Sequence, residues 1–246
     1  MPGKEPIYTA VVLAAGSGTR MHSQVPKQFA DLNGLPVVLY SLRAFEENAK
    51  INHIVLVIPK GYADRALQLC LRYGLRKVRA ITEGSDARFK SVYNGLKSVP
   101  EGTDYVLIHD GVRPLVSQEI IDRCCKYVVV TRACVAAVPV TDTIKRADSH
   151  GFASETLDRS TLWGIQTPQA FSYPLLRDAY ESLYKTIAEY DTDERRITDD
   201  AVIIENMTDV HVRLIAGETR NIKITTPDDM VIASALLKAA EDRPQS

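Results

Sequence analysis

Tyr8-Thr9-Ala10-Val11-Val12-Leu13 runs directly into Ala14-Ala15-Gly16-Ser17-Gly18-Thr19-Arg20-Met21, with Pro26-Lys27-Gln28 a few residues on. The first six residues are apolar and rich in β-branched side chains, as a strand buried on both faces requires. The small residues that follow let backbone approach a ligand closely, and successive N–H groups in such a loop form a concavity that binds anions. Arg20 and Lys27 add two positive charges. The loop fits neither a Walker loop, which needs GxxxxGK followed by Ser or Thr, nor the dinucleotide fingerprint GxGxxG opening a helix.

Working outward, further apolar runs at 54–59, 78–81, 105–109 and 134–138 alternate with segments at 36–47, 63–73, 89–98 and 118–128 whose apolar residues recur every three or four positions. This rhythm predicts an α/β fold: an open, mostly parallel, Rossmann-like sheet with helices on both faces. Ligands of such sheets bind where strands end, which singles out Gly16, Asp86, Asp110 and Thr141. From 141 to about 165 the rhythm breaks into polar alternation ending near Trp163, the only tryptophan. A projecting β-arm is expected there, and dimerisation through it, because a lone two-stranded arm is marginal in water. Helices are expected at 174–188, after Thr198 and at 227–240, with a strand at 211–215. A single domain over 1–246 accommodates all of this.

The 246 residues carry 30 basic and 31 acidic side chains, a net charge of -1. No global field attracts nucleic acid or a membrane, so a bound polyanion needs a local cluster. The segment Met1-Pro2-Gly3-Lys4-Glu5-Pro6-Ile7 has no apolar signal core, and no apolar run of membrane-spanning length occurs; a cytoplasmic protein is expected. Cys70, Cys124, Cys125 and Cys134 lack metal-ligand spacing and read as small core residues.

LAAGSGTRM with PKQF resembles the signature loop of sugar-phosphate nucleotidylyltransferases. Four more segments narrow the likeness: Gly84-Ser85-Asp86-Ala87-Arg88 with Ser91, His109-Asp110-Gly111-Val112-Arg113-Pro114, Gln166-Thr167-Pro168-Gln169 and Asn221-Ile222-Lys223-Ile224-Thr225. In that order, over residues 8 to about 238, the chain resembles the 2-C-methyl-D-erythritol 4-phosphate cytidylyltransferase family of the non-mevalonate isoprenoid pathway. Ribitol-5-phosphate cytidylyltransferases share most of these motifs, and Val112 is common in them, whereas the arm's Asp142-Thr143-Ile144-Lys145-Arg146 and Leu157-Asp158-Arg159 resemble the methylerythritol enzymes. A nucleotide-binding regulatory protein that has lost turnover is the non-enzymatic alternative.

The resemblance implies that CMP passes from CTP to a small polyol phosphate. It implies nucleotide contacts from Ala14, Ala15, Gly16, Gly18, Gly84, Asp86 and Ser91, and acceptor contacts from Thr141, Arg159 and Thr167, with Asp142 and Lys145 nearby, some reaching across a homodimer. Arg20, Lys27 and Lys223 are the expected catalytic residues, because charge neutralisation at the transferring phosphorus supplies most of the rate in such chemistry. Lys223 is expected on a short strand. Asp110 is the carboxylate expected to face Mg²⁺, or another divalent cation, either through water or while binding acceptor hydroxyls. For Asp86 a helix N-cap is the alternative role, while His109 and Arg113 read as structural.

Overall fold

A computed structural model describes residues 5–16, 26–189, 194 and 197–241. The strands are β1 (Tyr8–Leu13), β2 (Asp31–Leu32), β3 (Leu35–Pro36), β4 (Ile51–Ile58), β5 (Val78–Glu83), β6 (Tyr105–Asp110), β7 (Ala133–Pro139), β8 (Lys145–Ala147), β9 (Ala153–Thr156), β10 (Trp163–Ser172) and β11 (Arg213–Ala216). The helices are α1 (Val37–Glu47), α2 (Ala63–Tyr73), α3 (Arg88–Lys97), α4 (Gln118–Thr131), α5 (Tyr173–Glu189), α6 (Asp200–Met207) and α7 (Pro227–Glu241).

Seven strands form the central sheet in the order β11-β7-β10-β6-β1-β4-β5. Six run parallel, and β10 lies antiparallel between β6 and β7. Alternation along β1 explains the two layers. Ala10 and Val12 pack with α1, α2 and α4, while Val11 and Leu13 pack on the other face with α3, α5 and α6. Each large apolar side chain buried this way contributes about 1.5–3 kcal/mol. A third cluster joins Val37, Val112, Ile224 and Ala233 of α7, tying the C-terminal segment to the strand ends.

From β1 the chain builds outward through β4 and β5, then returns to place β6 on the other side of β1. The order in which strands are added therefore reverses between the parallel neighbours β1 and β6, where Leu13 and Asp110 are register partners. Crevices outside such switch points are where open α/β sheets bind ligands.

Two expectations need correction. The residues from Trp163 onward do not end the arm; they form β10, which crosses the middle of the sheet. Its inner residues Gln166, Thr167 and Gln169 are polar yet buried, satisfied by partners far along the chain. The arm proper is the hairpin of β8 and β9, rooted where Val140 N–H donates to the Leu162 carbonyl at 3.0 Å. Second, Asn221-Ile222-Lys223-Ile224-Thr225 is not a strand. Its alternation serves a crossing segment instead: Ile224 is buried and its N–H donates to the Val112 carbonyl at 2.9 Å.

Candidate active site

At the switch point lies a cleft of about 350 Å³, lined by Ala14, Ala15, Gly16, Lys27, Asp86, Ser91, Asp110 and Lys223, together with Gln28, Arg88 and Thr225. Eight expected site residues from six separate stretches of sequence meet in one place. Gly18 and Arg20 lie outside the described residues.

Each wall has a local cause. Ala14 N–H donates to the Val57 carbonyl at 2.6 Å, so the loop leaves β1 still pinned to β4. Gln28 Nε2 reaches back to the Gly16 carbonyl at 3.3 Å. Gly84 sits one layer behind the cleft: a Cβ there would overlap the Ala15 Cβ and crowd Ser91 Oγ, so glycine lets the turn after β5 close on the loop after β1. Ser91 Oγ accepts from Ser85 N–H at 2.9 Å and donates to the Ala87 carbonyl at 3.0 Å, fixing the turn that carries Asp86. Asp86 does not cap α3; the cap position is Ala87, without a side-chain bond. The Asp86 carboxylate is exposed, and the Ser85 hydroxyl and then Lys90 hold its pKa below the usual range.

The opposite wall is cationic. Asp110, 7% exposed, has Lys223 Nζ at 2.9 Å, Arg88 Nε at 3.4 Å and Arg113 Nε at 3.7 Å. Burial alone would raise its pKa, but the charges of Arg88, Lys223 and Arg113 outweigh that and hold it far below the ordinary carboxylate value. The Lys27 ammonium, nearly buried, donates to the Ile224 carbonyl at 2.9 Å. Lys27 and Lys223 thus approach the cleft from either end of the chain, held together by one backbone segment.

That segment is anchored beneath. Arg113 Nη1 donates to the Asn221 carbonyl at 2.8 Å, and Asn221 Nδ2 donates to the Thr167 carbonyl at 2.9 Å. His109 is fully buried, its Nδ1 3.1 Å from Thr167 Oγ1 and its ring edge against Phe45. Burial pushes its pKa down to about 3, so the ring is neutral near pH 7 and packs as a structural residue.

Among the expected acceptor contacts, only Asp110 borders the cleft. The Thr167 hydroxyl is buried behind it, accepting from Asp110 N–H at 3.1 Å. Thr141 and Arg159 lie on the arm, joined by a 3.0 Å bond from Arg159 Nη1 to the Thr141 carbonyl.

Arg88 and Asp200 carry more of the site than their sequence positions suggested. Arg88 stands between Asp110 and the fully buried Asp200, 2.9 Å from the latter. The only advance sign was that Arg88 lies in the quoted Gly84 segment. For Asp200, following an ordinary N-capping Asp199, there was none.

Among the described residues no cluster of three His, Cys, Asp or Glu side chains could by itself hold a metal ion, and no helix is long and apolar enough to cross a membrane.

The comparisons with known proteins agree with this geometry. Residues 8–239 match the model of the IspD family, 2-C-methyl-D-erythritol 4-phosphate cytidylyltransferase. The chain is 47% identical to the protein of that name from Lachnospira eligens, over 94% of this chain and 99% of that one. It is 42% identical to the Geobacillus kaustophilus protein, over 94% and 96%. Its structure superposes on the crystal structure of 4-diphosphocytidyl-2C-methyl-D-erythritol synthase from Anaerococcus prevotii with a TM-score of 0.81 and 30% identity, covering 95% of this chain and 97% of that one. A near full-length family match, together with a cleft assembled from that family's motifs, means that the chain belongs to the 2-C-methyl-D-erythritol 4-phosphate cytidylyltransferase family.

Proposed function

We propose that this chain transfers the cytidylyl group of CTP to 2-C-methyl-D-erythritol 4-phosphate and releases pyrophosphate, a step of isoprenoid precursor synthesis performed in the cytoplasm. The observation that carries it is the convergence of Lys27 and Lys223 on one cleft beside the loop after β1. The acceptor's phosphate monoester has a second pKa of about 6 and is largely dianionic near neutrality, so it attacks the α-phosphorus without a general base. A new P–O bond forms to the acceptor phosphate as the bond to the β-phosphate breaks, and pyrophosphate leaves with the electron pair. Negative charge shifts toward the departing phosphates, where fixed ammonium groups lower the barrier without reorganising. Lys27, Lys223 and Arg20 take that role.

Of the two carboxylates that line the pocket, Asp86 is exposed and pairs with Lys90 while Asp110 lies amid cations, which suits Mg²⁺ only in its usual substrate-borne mode, with waters and phosphate oxygens as most ligands. Asp110 would hold it, directly or through water, and the ion would neutralise triphosphate charge. Arg159 and Thr141, absent from this cleft's lining, serve the acceptor in the cleft of a second subunit, and the partly exposed Trp163 and Ile165 with the exposed Phe152 supply apolar surface for that homodimer.

Val112, the one motif residue that favours ribitol 5-phosphate, is accounted for by packing with Val37, Leu115 and Ile224. The decisive experiment measures pyrophosphate release at saturating CTP and Mg²⁺ with methylerythritol 4-phosphate or ribitol 5-phosphate. Strong preference for the first is expected. Preference for ribitol 5-phosphate overturns the acceptor assignment, and CTP binding without release with either acceptor supports a regulatory nucleotide-binding protein instead.

A further inference from the structure

Asp200 opens α6 with its side chain fully buried beneath the cleft wall. Its Oδ1 accepts from the Tyr180 hydroxyl at 2.6 Å, and its Oδ2 lies 2.9 Å from Arg88 Nη2. Its backbone N–H, and that of Ala201, donate to Gln169 Oε1 at 3.1 and 3.2 Å, while Gln169 Nε2 donates to Asp199 at 3.0 Å. The carboxylate is therefore held from α5 and α3, while β10 holds the backbone that carries it.

Arg88 is the only one of these partners that also borders the cleft. Its guanidinium faces two carboxylates with different atoms, Nη2 toward Asp200 and Nε toward Asp110 at 3.4 Å. A planar guanidinium whose two adjacent donors are held by different carboxylates cannot slide. We infer that Asp200 is a positioning residue for nucleotidyl transfer. By holding Arg88 Nη2, it stops Arg88 from turning both Nε and Nη2 onto Asp110, and so leaves Asp110 Oδ2 to orient Lys223. Without the Asp200 charge, Arg88 pairs with Asp110 as a bidentate fork, the stronger arrangement. It then competes with Lys223 for the carboxylate, and the Lys223 ammonium loses its fixed place beside the transferring phosphate. A buried carboxylate that only stabilised the start of α6 would need no cleft-lining partner, and the backbone there already has Gln169.

This inference rests on the proposed transferase function, so wild-type turnover with CTP and methylerythritol 4-phosphate is measured first; absence of turnover counts against that function and not against Asp200. The test is Asp200→Asn, alone and combined with Arg88→Met, in steady-state and single-turnover assays. Asp200→Asn is expected to lower kcat about tenfold or more while leaving the CTP KM within about threefold, and to cause no further loss in the Arg88→Met background. Unchanged kcat in Asp200→Asn overturns the inference, as does a full additional loss on top of Arg88→Met. If Asp200→Asn fails to fold, Arg88→Lys decides: one ammonium cannot span both carboxylates, so a similar kcat loss is expected, and near-normal kcat in Arg88→Lys overturns the inference.

Discussion

Lys223 Nζ lies 2.9 Å from Asp110 Oδ2, joining the end of a central strand to the segment that precedes the last helix. The pairing leaves the lysine partly exposed to the cleft, 38% against 10% for the aspartate side chain. The ammonium is aimed by a buried partner yet open to a substrate, the arrangement expected of a group that meets charge as it develops.

Lys223→Ala should lower kcat about 10²-fold or more with a smaller change in the CTP KM, as for loss of a contact made mainly in the transition state. Steady-state kinetics check this, and near-normal turnover would remove Lys223 from the catalytic set.

Lys27→Ala removes a cleft cation and also leaves the Ile224 carbonyl without that donor. Turnover should fall by a similar factor. The melting temperature should drop as well, because the segment carrying Lys223 loses an anchor. Comparing kcat and thermal unfolding in one preparation separates the two effects, and unaltered kcat would show that Lys27 serves the fold alone.

Arg159→Ala should raise the acceptor KM far more than the CTP KM, since Arg159 is an exposed arm residue whose cation lies outside the nucleotide cleft. Equal effects on both constants would count against an acceptor role. If the arm serves a second subunit, mixing and reassociating Lys27→Ala and Arg159→Ala proteins should restore about a quarter of wild-type activity. Random pairing makes half of the dimers hybrids, each with one intact site of two. No recovery on mixing would place Arg159 at its own subunit's site.

Stability should fall as the solution is acidified. His109 has a folded pKa of about 3, below its unfolded value of 6.5. Between those values the unfolded chain binds the extra proton, so the neutral ring's stabilisation is present above pH 6.5 and is lost on descending toward 3, by about 1.4 kcal/mol per pH unit. Asp110, whose pKa is depressed, adds loss of the same sign below the ordinary carboxylate range. Denaturant unfolding of wild type and His109→Gln between pH 7 and 4 tests this. The variant should be less stable at pH 7 and show a shallower slope, and parallel slopes would refute the His109 contribution.

Much of this architecture was legible in the chain because periodicity reports what an element packs against. The strand at β1 and the helices α1 and α2 lie at or within a residue of where their apolar spacing puts them. β10 escaped because its signal is tertiary. Pro168 and the polar residues around it argue against a central strand. The strand tolerates them because its pairing with β7 shifts register between Ile165 and Gln169, while Gln166 and Gln169 bond to Glu218 and to the start of α6. Within the site, the family motifs pointed to Lys27, Asp110 and Lys223. Asp200 did not announce itself, since an acidic residue at a helix start is common and only burial against Arg88 gives it another meaning.

The arm leaves the sheet at the end of β7 and returns at the start of β10, two strands that are already neighbours. Its two ends meet at a closed root, with Val140 bonded to Leu162, and the catalytic cleft borrows nothing from it. The hairpin can therefore be lengthened, trimmed or exchanged with little effect on where the triphosphate sits. With the acceptor role proposed for the arm, acceptor choice and nucleotide chemistry are uncoupled in the chain, so that one can drift through insertion and deletion while the other stays fixed.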